Sequence, residues 1–295
     1  MDTKTRDLFG FDTQGENYDI YRPRYPVELI QDIKNFCGKK ENYLDVASGT
    51  GKMFFELYKD FSQNEVINDK SSKQLEVIRQ KLRSVDHTAK IEILECDFFD
   101  IPKHLTSKDL KFDLVTFASA FHWFEPIKAL EYTVKELLDP EGAIAVLGTV
   151  VTKGLEYNYQ SEDAAFSKQC QTRFDEFTEA ISPYFESYRD ILLNGYSTVD
   201  FEKYFEVVQR TSLTVTKEMS IEEVKKYFGT VSAYNVYVEK NKGKESFKDP
   251  LDKLYDGIRE DLAAYAEKTK GELKEKPVLL IQPYYLVLAK KYIPL

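Results

Sequence analysis

Short apolar segments alternate with helical patterns through the first half of the chain, and this alternation constrains the fold more than any other feature. The segments that predict strands are residues 43–47, 65–69, 91–96, 112–117 and 143–147. Between the second and third of them, Leu75, Ile78 and Leu82 recur at helical spacing. Parallel strands need crossover connections, which are usually helices. The sequence therefore predicts an α/β fold with a doubly wound, mostly parallel sheet.

The pattern changes after residue 152. No segment between residues 152 and 205 is as strand-like as the first five, and the stretch contains twelve Phe and Tyr residues. We predict that it forms a helical, aromatic-rich cap inserted after the fifth strand. The segments that predict further strands are residues 205–208, 213–216, 278–281 and 284–288. Pro283 is expected to separate the last two, because proline cannot donate to a sheet ladder.

Composition excludes several classes of protein. The chain of 295 residues has a formal charge of −9, whereas a general polyanion binder needs clustered Lys and Arg. Its three cysteines, Cys37, Cys96 and Cys170, are too few and too far apart for a dense disulfide framework or a CxxC metal pattern. No apolar run approaches a membrane span, and the first residues do not resemble a signal peptide. We therefore expect a cytoplasmic protein, monomeric or homodimeric, with no metal, nucleic-acid or membrane partner.

A glycine-rich turn over residues 45–51, with the sequence DVASGTG, lies between the first strand and a helix. Glycines allow a sharp turn and close approach of the backbone to a ligand at the carboxyl edge of an open α/β sheet. A dinucleotide fingerprint needs a third glycine; when Gly49 and Gly51 take the first two places, Phe54 occupies the third. This spacing disfavours a nicotinamide-dependent oxidoreductase. Asp45 instead suits a cofactor that carries an ammonium group, met directly or through water.

Two further aspartates follow later strands. Asp69 ends the second strand, where a carboxylate can accept hydrogen bonds from both ribose hydroxyls. Asp97 follows the third strand and can reach an adenine amino group, with Phe98 alongside the ring. Taken singly, Asp45 is also compatible with a turn cap and Asp69 with a helix cap. Their order on successive strand ends favours a site for S-adenosylmethionine.

These segments resemble class I, seven-stranded S-adenosylmethionine-dependent methyltransferases. Residues 44–52 resemble the glycine-rich motif LDxGCGTG, from which Ala47 and Ser48 depart, and residues 66–71 resemble VIGxDxS with one residue missing before the aspartate. Asp97 matches the acidic residue of the third motif. The resemblance implies a single Rossmann-like methyltransferase domain over residues 1–295, with S-adenosylhomocysteine as product. It also implies cofactor contacts from Asp45, Ala47, Ser48, Gly49, Gly51, Asp69, Lys70, Asp97, Phe98, Ser119 and Ala120.

Three other segments resemble small-molecule methyltransferases. Residues 18–26 are similar to their YxxYRPxYP lid segment, residues 120–124 to the AxHW motif after the fourth strand, and residues 229–235 to RSWSxY of the fungal trans-aconitate methyltransferase group. The resemblance implies a lid arm over residues 1–26, although prolines that merely pin an N-terminal arm are the competing interpretation. The roles it implies are cofactor binding by Tyr18 and Arg22, and substrate binding by Tyr21, Trp123 and Tyr234.

The acceptor decides what chemistry the chain must supply. A carboxylate is already ionised near pH 7, whereas a hydroxyl or phenol needs a base within hydrogen-bond reach. His122 is the predicted catalytic residue, as base or as anchor for a substrate carboxylate; simple packing beside Trp123 is the alternative. We predict O-methylation of a small molecule, with a carboxylate as the favoured acceptor by resemblance. A non-catalytic cofactor-binding sensor or partner subunit, and an N- or C-methyltransferase, are the alternatives.

Overall fold

The structure is a computed structural model that describes residues 24–150, 154–159, 164–185 and 188–291. The described strands are β1 (Asn42–Val46), β2 (Asn64–Asp69), β3 (Lys90–Glu95), β4 (Phe112–Ala118), β5 (Leu138–Thr149), β6 (Gly154–Tyr157), β7 (Val207–Met219) and β8 (Val278–Lys290). The described helices are α1 (Val27–Phe36), α2 (Lys52–Leu57), α3 (Ser72–Leu82), α4 (Ile101–His104), α5 (Pro126–Tyr132), α6 (Ala164–Ile181), α7 (Arg189–Leu193), α8 (Ile221–Gly229), α9 (Ser232–Asn241) and α10 (Pro250–Thr269).

All these strands belong to one sheet, in the order β3-β2-β1-β4-β5-β8, with β7 on the outer side of β8. Strands β1 to β5 pair in parallel, and β8 pairs antiparallel with β5, β6 and β7. The predicted doubly wound, mostly parallel sheet is confirmed. Its eighth strand is the short β6, which lies in the stretch predicted to be helical. The strand order reverses between β1 and β4, and such a switch point is where open α/β sheets bind their ligands.

The prediction that Pro283 separates two strands is wrong, because β8 runs unbroken from Val278 to Lys290. Its pairing with β5 stops at Tyr284, and its pairing with β6 starts at Ile281. The Thr149 hydroxyl donates to the Pro283 carbonyl oxygen at 2.8 Å, from the β5 side. The N and O atoms of a strand residue point to the same side, so the missing N–H faces the gap between β5 and β6. No ladder bond is lost there.

Helices cover both faces of the sheet. Neighbouring residues of a strand point to opposite faces, so Tyr43 joins one apolar layer and Leu44 the other. The first layer receives α1, α2 and α3, and the second receives α5 and α7. A third cluster joins β6, α6, α8, α10 and the first half of β8, and it contains much of the aromatic side-chain mass of the cap. None of the described helices is long and apolar enough to cross a membrane.

A polar network around the buried Asp261 of α10 ties the cap together. This carboxylate is 6% exposed and accepts a hydrogen bond from the Tyr157 hydroxyl of β6 at 2.9 Å. From α6 it receives the Gln169 amide at 2.9 Å and two guanidinium bonds of Arg173, at 2.9 and 3.2 Å. The Asp261 carboxylate therefore connects β6, α6 and α10. A buried charge is tolerated in a protein core when it is paired and hydrogen-bonded, as this one is.

Glu65 of β2 presents the opposite case. It is fully buried, neither carboxylate oxygen has a hydrogen-bond partner among the described residues, and burial raises its pKa to about 8. A group whose pKa is higher in the folded than in the unfolded chain stabilises the fold at pH values below its pKa in the unfolded chain. That contribution to the free energy of unfolding is lost as the pH rises through its pKa in the folded chain. We therefore expect wild-type stability to fall from about pH 4.5 to about pH 8 through Glu65.

Glu65→Gln removes this titration. The variant should gain in free energy of unfolding over the wild type as pH rises from 5 to 8.5, by an amount on the order of 1–3 kcal/mol. Urea unfolding of both proteins at the two pH values measures the difference, and Glu95→Gln, at an exposed position of β3, is the matched control. If the difference in free energy of unfolding between Glu65→Gln and the wild type is the same at both pH values, Glu65 does not titrate in this range.

Candidate active site

The carboxyl ends of four parallel strands bring most of the predicted cofactor residues to one edge. Val46, the last residue of β1, is aligned with Asn68 of β2 on one side and with Phe117 of β4 on the other. The glycine-rich turn follows β1, and Ser119 directly follows β4. The turn therefore sits at the switch point that the strand order creates.

The turn is built from left-handed backbone. Ala47, Gly49 and Gly51 have φ values of 47°, 58° and 78°. At Gly51 a Cβ atom would lie 3.1 Å from Ile78 Cγ1, so the absence of a side chain lets α2 start close against α3. Ala47 stands where the methyltransferase motif has glycine, and left-handed backbone costs an L-residue roughly 1–2 kcal/mol. Such strain is typical of functional sites.

Asp45 lies under the turn and is fully buried. The Thr116 hydroxyl donates to its Oδ1 at 2.6 Å and in turn lies 2.9 Å from the Tyr43 hydroxyl, whereas Oδ2 has no hydrogen-bond partner among the described residues. Burial, together with the charge of Asp69, raises the pKa of Asp45 to about 7, although the Thr116 hydrogen bond acts against this rise. The carboxylate is thus held rigidly with one acceptor left over.

Asp69 ties the turn to the next helix. Its Oδ2 accepts from the Gly49 amide and its Oδ1 from the Ser71 amide, both at 2.8 Å. Each carboxylate oxygen has a second lone pair, so both oxygens can still accept from ribose hydroxyls. Asp69 can therefore cap the helix and bind the cofactor at the same time.

Gln74 of α3 was not singled out by the sequence, yet it lies beside the turn. Its side chain is 2% exposed, and its Oε1 is a second buried acceptor without a partner among the described residues. That atom is 4.0 Å from where a Cβ of Gly49 would be. Buried acceptors without donors are costly, and a ligand that brings donors removes the cost. S-adenosylmethionine brings an ammonium group and ribose hydroxyls, so Asp45 and Gln74 fit this cofactor.

The turn after β3 differs from the sequence-based expectation. Asp97 is exposed, and its Oδ1 accepts from the Phe99 amide at 3.0 Å. The Phe98 ring points inward, is 2% exposed and packs against Phe117, Phe124 and Tyr132. The expectation that Phe98 lies open beside an adenine ring is therefore not met.

Phe99 is the outward-facing ring of the same turn. It is 39% exposed, whereas Phe98 is buried, because successive side chains of this short turn point in different directions. Lys70, at the corresponding place after β2, is also exposed. An adenine base that approaches Asp97 from the open edge would thus meet Phe99 before Phe98.

The segment after β4 carries the predicted catalytic histidine. Ser119 has a φ of 54°, and its hydroxyl lies 3.5 Å from the Tyr25 hydroxyl; Ala120 beside it is buried. His122 is 6% exposed, and its ring centroid lies 5.8 Å from that of the partly exposed Trp123. Burial and the nearby positive charge of Arg189 lower the pKa of His122 to about 3, so its imidazole is neutral at pH 7. A group with so low a pKa is a weak base.

Tyr234, which the sequence predicts to bind substrate, lies in the cap cluster. The Tyr234 hydroxyl donates to Asp249 Oδ2 at 2.9 Å, and its ring lies 6.1 Å from that of Phe177 in the cap cluster. Burial, with Asp249 beside it, raises the pKa of Tyr234. Tyr18, Tyr21 and Arg22 lie outside the described residues, so their roles stay predictions.

Comparisons with known proteins show the family of this chain. A family model described as "Methyltransferase domain" matches residues 38–187, half of the chain. A Dictyostelium discoideum protein named "Putative methyltransferase" is 25% identical over 98% of this chain and 97% of its own length. The Saccharomyces cerevisiae protein named "Probable S-adenosylmethionine-dependent methyltransferase CRG1" is 28% identical over 45% of this chain and 44% of its own.

A solved structure supports the fold. The "Putative Type II Methyltransferase" of Anaeromyxobacter dehalogenans superposes with a TM-score of 0.62, at 18% identity, over 93% of this chain and 99% of that one. The family match covers β1 to β5 and the turn that carries the left-handed glycines. The chain therefore belongs to the methyltransferase domain family and is an S-adenosylmethionine-dependent methyltransferase with a Rossmann-like fold, which releases S-adenosylhomocysteine.

Proposed function

We propose that this methyltransferase transfers the methyl group to a carboxylate oxygen of a small organic acid. The observation that carries the proposal is the neutral, buried His122 at the carboxyl end of β4, with the charge of Arg189 close by. A phenol or alcohol acceptor requires a base, and a histidine with a pKa of about 3 is poorly suited to that task. A carboxylate requires none.

The chain's own residues then bind, align and exclude water. S-adenosylmethionine supplies a methyl group already activated by its sulfonium. Asp45, Asp69 and Gln74 offer acceptors around the turn, and Asp97 marks the outer end of the site. His122 orients the acceptor. Alignment of the reacting atoms lowers the barrier of a displacement of this kind.

The domain organisation is part of the proposal. Residues 1–295 form one methyltransferase domain, residues 1–26 close over the site as a lid, and residues 152–205 form the cap. Tyr18 and Arg22 would hold the cofactor, and Tyr21 and Trp123 would line the acceptor pocket. The likeness of residues 18–26 and 120–124 to small-molecule methyltransferases, and of residues 229–235 to the trans-aconitate methyltransferase group, supports a small carboxylate acceptor. Closure matters because water in the site weakens electrostatic alignment.

The test is transfer of a labelled methyl group from S-adenosylmethionine to a panel of small acids, phenols and amines, followed by mild alkali. Fatty acids and trans-aconitate head the panel. An alkali-labile label establishes a methyl ester and supports the proposal. An alkali-stable label establishes an ether, amine or carbon product and contradicts it. Absence of transfer by a protein that binds S-adenosylhomocysteine would favour the non-catalytic sensor.

His122→Asn should lower turnover by about 10- to 100-fold, because misplacement of the acceptor by even 1 Å costs that much. Affinity for S-adenosylhomocysteine should stay within about twofold, since His122 serves the acceptor. Single-turnover kinetics and calorimetry give the two quantities, and His104→Asn, at an exposed position of α4, is the control. An equal loss in turnover and cofactor affinity would mean that His122 is only structural.

A further inference from the structure

Strand β7 forms an outer edge of the sheet. Over its whole length, from Val207 to Met219, it pairs with β8 in one antiparallel register, and no other strand of the described residues pairs with it. Strands usually have about five or six residues, whereas β7 has 13. The backbone groups along such an edge are a template for pairing with another strand.

The backbone groups that point outward from this edge belong to the even-numbered residues of β7. Thr214 lies opposite Pro283, whose N and O atoms face β5 and β6. Directly opposite residues of an antiparallel pair point these atoms either both toward each other or both away. The N–H and C=O of Thr214 therefore point away from β8, and the same holds for every second residue. The outward-pointing residues of the middle of the strand are Arg210, Ser212, Thr214, Thr216 and Glu218, and all of them are exposed.

The edge lacks the features that usually prevent two sheet edges from pairing. Proteins protect such edges with proline, a bulge or charged side chains. Strand β7 contains no proline, and its register with β8 runs without a bulge. Between Arg210 and Lys217 the sequence is TSLTVT, which carries no charge and consists mostly of β-branched residues. The middle of β7 is therefore suited to bind a further strand.

Strand β7 is complementary to a second copy of itself in one register. A two-fold axis normal to the sheet sets one residue opposite its own copy, and the residues on either side then face each other at equal separations from it. With Thr214 on the axis, Arg210 lies opposite Glu218 of the second copy. The only other charged residue of β7 is Lys217, which projects from the opposite face to Glu218 and cannot lie opposite it. Only the register about Thr214 therefore sets opposite charges face to face.

Both charged groups have intramolecular partners and retain capacity for another one. Arg210 binds Glu202 through Nη1 and Nη2, and Glu218 accepts from the Asn158 amide at 3.0 Å. A guanidinium has five N–H donors and a carboxylate about four lone-pair sites. Each group can therefore take a further partner across the two-fold axis.

We propose that the protein forms a homodimer in which the β7 strands of two copies pair antiparallel about Thr214. The even-numbered residues from Arg210 to Glu218 exchange main-chain hydrogen bonds with the residues opposite them, and the two sheets become one continuous sheet. On the other face, the half-buried Leu213 lies opposite the half-buried Val215, which adds an apolar cross-strand contact. Strands β4, β5 and β8 separate β7 from β1, so the interface does not involve the glycine-rich turn.

Sedimentation equilibrium of the full chain tests for the dimer. The wild type should reach twice its mass of 34.3 kDa as its concentration is raised to about 100 µM. Thr214→Lys sets two like charges opposite each other on the axis and should keep the protein monomeric at that concentration. Thr172→Lys, at an exposed position of α6, is the matched control and should dimerise like the wild type.

Reversal of the charges tests the register. Arg210→Glu and Glu218→Arg each set like charges opposite each other at both ends of the interface, and each should raise the dissociation constant of the dimer by at least about 10-fold. An equimolar mixture of the two variants should dimerise again, because each supplies the charge that the other lacks. A purely intramolecular role of Arg210 or Glu218 would not be rescued by mixing. Thermal unfolding shows that each variant is folded.

A wild type that stays at 34.3 kDa at the highest concentration would overturn the inference. A dimer that persists in Thr214→Lys would place the interface elsewhere and would also overturn it. If the wild type dimerises but the mixture of charge variants does not, the register about Thr214 is wrong. None of these measurements involves methyl transfer, so the inference can fail while the proposed function stands.

Discussion

Asp261→Ala is expected to lower the free energy of unfolding by about 1–3 kcal/mol, because it leaves the buried Tyr157 hydroxyl and the partly exposed Arg173 guanidinium without their acceptor. Arg173, Gln169 and Tyr157 all donate to the Asp261 carboxylate, so its removal breaks four hydrogen bonds at once. The donors come from β6 and α6 and the acceptor from α10. The variant should therefore loosen the whole cap.

Urea unfolding at pH 7 measures the effect, and Asp256→Ala, at an exposed position one turn or so earlier in α10, is the matched control. The control should cost less than about 1 kcal/mol. Asp261→Asn should fall between the two, since it keeps the shape and some of the hydrogen bonds but loses the charge. A cost for Asp261→Ala no greater than that of the control would show that the network does not hold the cap in place.

Asp69→Ala is expected to raise the dissociation constant for S-adenosylhomocysteine by about 10- to 100-fold, equivalent to about 1–3 kcal/mol. Two causes add. The carboxylate can no longer accept from the ribose hydroxyls, and the amides of Gly49 and Ser71 lose the acceptor that now holds the turn against α3. Loss of the ribose hydrogen bonds affects only the bound state, whereas loss of the two amide bonds affects both states.

Calorimetric titration with S-adenosylhomocysteine gives the affinity, and Asp86→Ala, in the exposed loop before β3, is the control. Asp69→Asn keeps one acceptor oxygen and should lose less affinity than Asp69→Ala. Affinity that is unchanged in both Asp69 variants would remove this residue from the cofactor site and leave it only as the structural link between turn and helix.

The parallel core of the fold could be predicted because its signals are local. Each of β1 to β5 contains a short, mostly apolar segment, and DVASGTG has the spacing of a turn between strand and helix. The last strand could not be predicted as one element. Whether Pro283 interrupts it depends on which partner faces its backbone, and that partner is Thr149, far away in the sequence.

The candidate site likewise contains residues that the sequence predicts and residues that only the fold brings to it. Asp45 and Asp69 follow from motif and strand end, but Thr116, which holds Asp45, comes from a neighbouring strand whose register fixes the contact. Gln74 and Arg189 look like ordinary helix residues in the sequence. Their positions follow only from how α3 packs on the turn and how α7 packs on the segment after β4. Long-range packing therefore fixes the positions of most site residues that do not belong to a sequence motif.

Hydrogen–deuterium exchange with and without S-adenosylhomocysteine locates the cofactor along the whole chain. We expect slower exchange on binding in residues 45–51, 69–75 and 97–100 and in the segment 119–123, which together form the carboxyl edge of β1 to β4. Residues of α10 far from that edge in the cap should be unchanged. Binding that protects the cap alone and leaves residues 45–51 and 69–75 unaffected would show that the cofactor does not bind at the carboxyl edge of the sheet.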